Sequence, residues 1–230
     1  MQQSIILPDI VQKFLDEVVY NINPNFKIKN KAHPSGLYAL ARPFVKIFNK
    51  DIDTRYITVM NGTCWFPAHY FEDDGRLSEK MSAGVIRILS HEAVHEYYRK
   101  RFGNVLFSLA YLFPQCLALL SLLAIGAIWD LNWLWWLASL VFLAPLPAPG
   151  RAWLEIRGYL TNIMATRFRG RDVGPDIEWY VDFQFASAAY YFMWPFKKNA
   201  AKRLRDIGHQ VDAPYQEIYS WWRDHVDKVL

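Results

Sequence analysis

Cysteine is scarce: Cys64 and Cys116 are the only two in 230 residues, and Cys116 lies inside a strongly apolar run. A disulfide framework therefore has no support, and reducing surroundings fit best. Long blocks of one charge are missing as well. Lys and Arg total 26 against 22 Asp and Glu and are scattered, so a formal charge of +4 gives no basic face of the kind a dedicated nucleic-acid binder uses. No nucleic-acid partner is expected. The opening run MQQSIILPDIVQKFLDEVV lacks a basic stretch followed by a long apolar one, and Asp9 and Asp16 interrupt it, so no secretory signal is expected there. Internal repeats and low-complexity tracts are also lacking.

What is present in excess is apolar. Hydrophobic residues make up 53% and aromatics 17%, with ten tryptophans, which points towards a membrane or a large apolar interface. The excess is concentrated between Val105 and Ala148, where Asp130 is the only charged residue between Arg101 and Arg151. The Asp130-Leu131-Asn132 turn predicts two arms, Gln115 to Trp129 and Trp133 to Pro147. Trp129, Trp133, Trp135 and Trp136 gather at the tip as in an interfacial aromatic belt. As α-helices the arms would each measure about 22 Å, short of the ~30 Å hydrocarbon core. A short spanning hairpin and a re-entrant one both stay open. Arg99, Lys100 and Arg101 precede the hairpin, Arg151 and Arg157 follow it, and the tip has no basic residue, so both ends are expected on the cytoplasmic side. Membrane lipid is thus an expected partner through residues 105–148. A soluble alternative makes the hairpin a buried layer or a docking arm in an assembly.

Elsewhere the pattern is that of a small helical protein with one sheet. Ile10, Val11, Phe14, Leu15 and Val18 predict a helix over Pro8 to Tyr20, followed by an extended Phe26-Lys27-Ile28 and a helix over Ser35 to Phe48 that Pro43 disturbs. Lys27, Lys29 and Lys31 read as a solvated face. Two β-rich runs, Tyr56 to Met60 and Thr63 to Pro67, flank Asn61-Gly62, the strongest two-residue hairpin signal. Ser78 is the expected N-cap of a helix from Glu79 to Phe102, stopped or kinked at Gly103-Asn104. Further helices are expected over Ala152 to Phe168, Ile177 to Tyr191 and Tyr215 to Val229. The expected fold is mainly helical α+β. Residues 1–50 form a scaffold, 51–103 the β-hairpin and motif helix, 104–148 an inserted apolar hairpin, and 149–230 the helical remainder of the catalytic domain.

The chemistry is carried by His91-Glu92-Ala93-Val94-His95. On a helix, residues four apart point within about 40° of each other, so His91 and His95 can share one metal ion with Glu92 beside them. Zn2+ suits neutral imidazoles and lowers the pKa of a bound water towards 7, and an adjacent carboxylate can act as general base. Met81, Gly84, Val85 and Ile88 fall on the same side, which places the histidines on an expected buried stripe. A catalytic zinc takes three protein ligands, and Glu155 is the candidate for the third, on a helix side shared with Ala152, Gly158, Tyr159, Asn162 and Thr166. Asp182 and His209 are alternatives. Tyr159, His69 and His209 are candidates to polarise a substrate carbonyl, with Tyr159 preferred. His33, His69, His209 and His225 lie outside the motif and otherwise read as structural or exposed. An exposed strand edge of the β-hairpin is a candidate to bind an extended peptide by main-chain hydrogen bonds.

The order of parts resembles the integral-membrane zinc metallopeptidases of the HtpX and CAAX-prenyl endopeptidase kind: an HExxH helix, an apolar hairpin, then a helix bringing a glutamate. The resemblance covers roughly residues 79–170 and implies a zincin-like, gluzincin-type site with Glu155 as ligand. The chain departs from those families in lacking membrane helices before the motif, and in placing Tyr159 where they usually have an aspartate four residues after the glutamate. HEAVHEYYRKR, LPAPGRAWLEIRGY and YYFMWPF are also similar to small phage-encoded metallopeptidases, which implies virion proteins as partners and a virion as an alternative location. The expected function is a membrane-associated zinc metallopeptidase acting on protein or peptide, its catalytic part cytoplasmic. The rivals are a non-catalytic membrane or virion component with a structural zinc, and a zinc hydrolase acting on another bond.

Overall fold

A computed structural model describes residues 5–48, 50–60, 62–187, 193–206 and 213–229. The architecture is mainly helical with one three-stranded sheet. The chain divides into two compact units, Met1–Tyr97 with Ala213–Leu230, and Tyr98–Asp212. Residues 149–212 group with the apolar arms, and the last helix groups with the motif-bearing unit.

In the first unit, α1 (Asp9–Phe14) runs through a π-helical turn, Leu15–Val19, into α2 (Tyr20–Ile22). Val11, Phe14, Leu15, Val18 and Val19 are buried, and each large apolar side chain so buried contributes roughly 1.5–3 kcal/mol. β1 (Lys27–Asn30), α3 (Gly36–Phe48), β2 (Thr58–Met60) and β3 (Thr63–Phe66) follow, with strand order β1-β3-β2. β2 and β3 are antiparallel with Met60 opposite Thr63, the hairpin that Asn-Gly predicts. Gly62 supplies the left-handed φ of 71° there, and Asn61 lies outside the described residues. β1 pairs parallel to β3 with Ile28 opposite Cys64.

Lys31 corrects the reading of a solvated lysine face. Its side chain is only 2% exposed, and its ammonium donates to the Ile52 carbonyl at 2.5 Å, the Tyr56 carbonyl at 2.7 Å and the Thr58 hydroxyl at 2.8 Å. Burial pulls its pKa down to about 8, with Asp53 opposing the shift. Two carbonyls in the loop before β2 and the hydroxyl of its first residue replace the water that the ammonium loses, which an alternating lysine pattern cannot reveal.

The motif helix, α4 (Ser82–Phe102), follows a 3-10 turn, Glu79–Met81. Ser78 stands at the N-terminal boundary in extended conformation but makes no side-chain cap hydrogen bond. The stripe expected beside the histidines is not fully buried. Met81 is exposed, Gly84 and Ile88 are half-buried, and the deeply buried apolar positions are Val85, Ile86, Leu89, Ala93 and Val94.

The second unit begins within the end of α4. Gly103, at φ 79°, breaks the helix, and α5 (Asn104–Leu112) follows. The two arms come next as 3-10 helices, Gln115–Ile128 and Leu131–Leu143, rather than α-helices. Between them Asp130 accepts a hydrogen bond from the Asn132 amide at 2.9 Å, closing the expected turn. A Cβ on Gly126 would lie 2.4 Å from the Trp133 ring, so the arms touch closely near the tip. α6 (Pro149–Phe168), α7 (Gly174–Trp179) with a π-helical continuation Tyr180–Phe185, and α8 (Lys197–Asp206) complete the unit, and α9 (Ala213–Val229) belongs to the first. The expected helix to Tyr191 ends within the described residues at Phe185, and positions 188–192 lie outside them. Ile156, Tyr159, Ile163, Phe185, Met193 and Leu204 share one apolar core.

α5 lies close enough to the start of α6 that a Cβ on Gly150 would sit 2.2 Å from the Ala110 carbonyl oxygen. Gly150→Ala is therefore expected to destabilise the protein by about 1–3 kcal/mol, because a backbone atom cannot swing aside. Denaturant unfolding against wild type checks this, and an unchanged midpoint would mean that α5 is free to shift.

Candidate metal centre

α4 is held on both sides of its HExxH segment. Before it, the Ser90 hydroxyl donates to the Ile86 carbonyl at 2.8 Å and accepts from the Trp222 indole of α9 at 3.1 Å, both side chains being fully buried. After it, the buried Glu96 carboxylate accepts from the Asn23 amide just past α2 at 2.8 Å. Hydrogen bonds of this kind fix the rotation of a helix about its axis, and with it the aim of the side chains between them.

Between these anchors the two imidazoles converge. The Nε2 atoms of His91 and His95 are 2.9 Å apart, the rings 4.7 Å apart and inclined at 69°. A tetrahedral zinc with bonds of 2.0–2.1 Å separates its ligand atoms by about 3.3 Å, so a shift of a few tenths of an ångström fits both histidines to one ion. His91 is buried, and His95 and Glu92 are half-buried. The buried Cys64 thiol on β3 is pushed well up by burial, with the Glu92 carboxylate adding to the shift, so Cys64 stays a protonated thiol.

In the second unit Glu155 is buried on α6, only 5% exposed. Its Oε1 accepts a 2.5 Å hydrogen bond from the Tyr111 hydroxyl of α5, and the Arg151 guanidinium lies over the Tyr111 ring at 5.2 Å. Burial, reinforced by the Glu155 charge, holds the Tyr111 phenol well above its ordinary range, so it remains a donor at neutral pH. Tyr159 is buried one turn after Glu155, its ring stacked on Tyr180 at 4.3 Å and edge-on to Phe185 at 5.8 Å.

His91 and His95 of the first unit offer two imidazole nitrogens to one ion, and Glu155 of the second is the carboxylate that the sequence reading puts forward as the third ligand. The donor set, two imidazoles and a carboxylate, is one that catalytic zinc takes. Asp182 is exposed and forms an ion pair with Lys197 at 2.8 Å, and His209 lies outside the described residues. His225 stacks on Trp221 at 4.7 Å, while His33 and His69 are exposed. The sequence reading missed Tyr111, Asn23, Glu96 and Trp222. Only Tyr111 carried a signal, an amphipathic group in an otherwise apolar stretch.

No protein-family model, curated protein or solved structure matches the chain.

Proposed function

We propose that the chain is a zinc metallopeptidase of zincin-like type, associated with a membrane, in which His91, His95 and Glu155 hold Zn2+ and Glu92 is the general base. The observation that carries this reading is the convergence of the two imidazole Nε2 atoms at 2.9 Å on a helix whose next residue after His91 is a half-buried glutamate. A structural histidine pair does not need a carboxylate at that position, whereas attack of water on an amide does. When bound, the ion supplies Lewis acidity for the carbonyl and lowers the pKa of water. Glu92 takes the proton from the attacking water and returns it to the leaving amine. Tyr111 orients Glu155 by occupying Oε1, and Tyr159 is assigned to polarise the scissile carbonyl. The apolar arms and the exposed Val105, Leu106 and Leu109 on α5 support attachment to lipid, with the basic flanks Lys100 and Arg101 on the cytoplasmic side.

Purified full-length protein is expected to carry about one zinc per chain and to cleave a mixed peptide library until a strong chelator is added. Elemental analysis and mass spectrometry of the library check both halves. Zinc without cleavage favours a structural zinc in a non-catalytic membrane or virion component. A chain that holds no zinc ends the reading.

A further inference from the structure

We propose that α5 lies flat in the headgroup boundary of a lipid bilayer and that the two arms cross the hydrocarbon core as paired 3-10 helices, bringing the Asp130 turn out at the far face. This rests on the membrane part of the reading above and is independent of the metal.

Length comes first. No single helix among the described residues is long and apolar enough to cross a membrane by the residue count an α-helix needs. The 3-10 form rises ~2.0 Å per residue rather than 1.5 Å, so arms of 14 and 13 residues reach about 28 Å and 26 Å. That comes close to the ~30 Å hydrocarbon core, whereas α-helical arms of the same composition would fall roughly 9 to 11 Å short. Long 3-10 runs are uncommon because their hydrogen bonds are poorer. Two in succession, facing each other, therefore call for a reason, and reach is one. Each arm also satisfies its backbone groups internally, as a hydrocarbon surrounding demands.

Direction comes second. α5 and the first arm meet at 101°, across Phe113 and Pro114. A helix in the interface followed by one along the bilayer normal makes such a corner. α5 has the two faces this needs: Ala110 and Tyr111 turn inward to Gly150 and Glu155, while Val105, Leu106, Leu109 and Leu112 are exposed. The outward faces of the arms are equally bare, with Leu122 and Ile125 70% and Ile128 75% exposed. Water would oppose such a surface, and a protein partner would leave some polar rim on it; between Gln115 and Trp129 the half-buried Ser121 is the single polar side chain.

Asp130 decides between spanning and re-entry. In a re-entrant hairpin the turn would sit near the bilayer centre, where an aspartate costs roughly 2.5–3.5 kcal/mol. At the far face it meets headgroups and water, with Trp129 and Trp135, both more than 80% exposed, at interfacial depth.

The test places single nitroxide labels at Leu109→Cys, Leu122→Cys and Asn132→Cys in a Cys116→Ser background. Cys64 is buried with a raised pKa and stays unlabelled. All three positions are exposed, so folding is not at stake. The full chain is reconstituted in vesicles of equal parts phosphatidylcholine and phosphatidylglycerol, and collision with oxygen and with a polar nickel chelate is measured. The label at Leu122 is expected to lose about tenfold in nickel accessibility in the bilayer, while those at Leu109 and Asn132 stay shallow. Asn132 deepest of the three would overturn the proposal in favour of re-entry. No change at any site on adding vesicles would overturn lipid as the partner. Zinc content has no bearing on these depths, so a failed metal site and a failed hairpin geometry are told apart.

Discussion

Glu92→Gln is expected to keep about one zinc per chain and to lose peptide hydrolysis by roughly two to four orders of magnitude. The side chain keeps its shape and half-buried position, and neither imidazole is altered, so the ion has no reason to leave. What disappears is the one group beside His91 that can accept a proton from attacking water at neutral pH. An amide offers no basic oxygen in that range. Paired measurements of zinc content and cleavage of the peptide library check the claim. Full activity in the variant would remove Glu92 from the mechanism, and loss of zinc together with activity would show that the carboxylate also positions the ion.

His95→Ala should have the opposite signature, with zinc falling from about one per chain to a small fraction, because two remaining ligands rarely hold the ion. His95 is the better choice of the pair. It is half-buried, whereas His91 is buried next to Ser90 and its truncation would also open a cavity. Zinc content is measured on protein whose helical circular dichroism matches wild type, and isothermal titration with Zn2+ supplies the affinity. Retention of a full equivalent in the folded variant would move the metal site away from the HExxH segment altogether.

Much of this could be read beforehand where a local rule applies. Asn61-Gly62 fixes a hairpin because few residues accept its backbone geometry, and β2 and β3 pair there. The spacing of His91 and His95 fixes their convergence because helical geometry alone does it. Gly103 was read as a stop or a kink, and the positive φ there breaks α4 before α5 resumes. What escaped depended on partners distant in the chain or on the absence of a stripe. Tyr111 is 44 residues from Glu155, and nothing in either segment announces the hydrogen bond. The arms are apolar on every side, so their composition has no period from which 3-10 and α could be distinguished. α8 was missed for the reverse reason: KKNAAKRLRD is so polar that only Ala200 and Leu204 mark its inner side. Lys31 looked like its neighbours in sequence, and only the loop folding over it makes it different.

The hydrogen bond from Trp222 to Ser90 spans 132 residues. Everything in the second unit, arms included, is synthesised between its two ends. At ribosomal rates of 5–20 residues per second, the segment around His91 waits on the order of ten seconds before its indole partner exists. During that interval the motif helix lacks one of its two anchors, while the apolar arms have already emerged. On the proposed reading, membrane engagement would thus precede completion of the metal site.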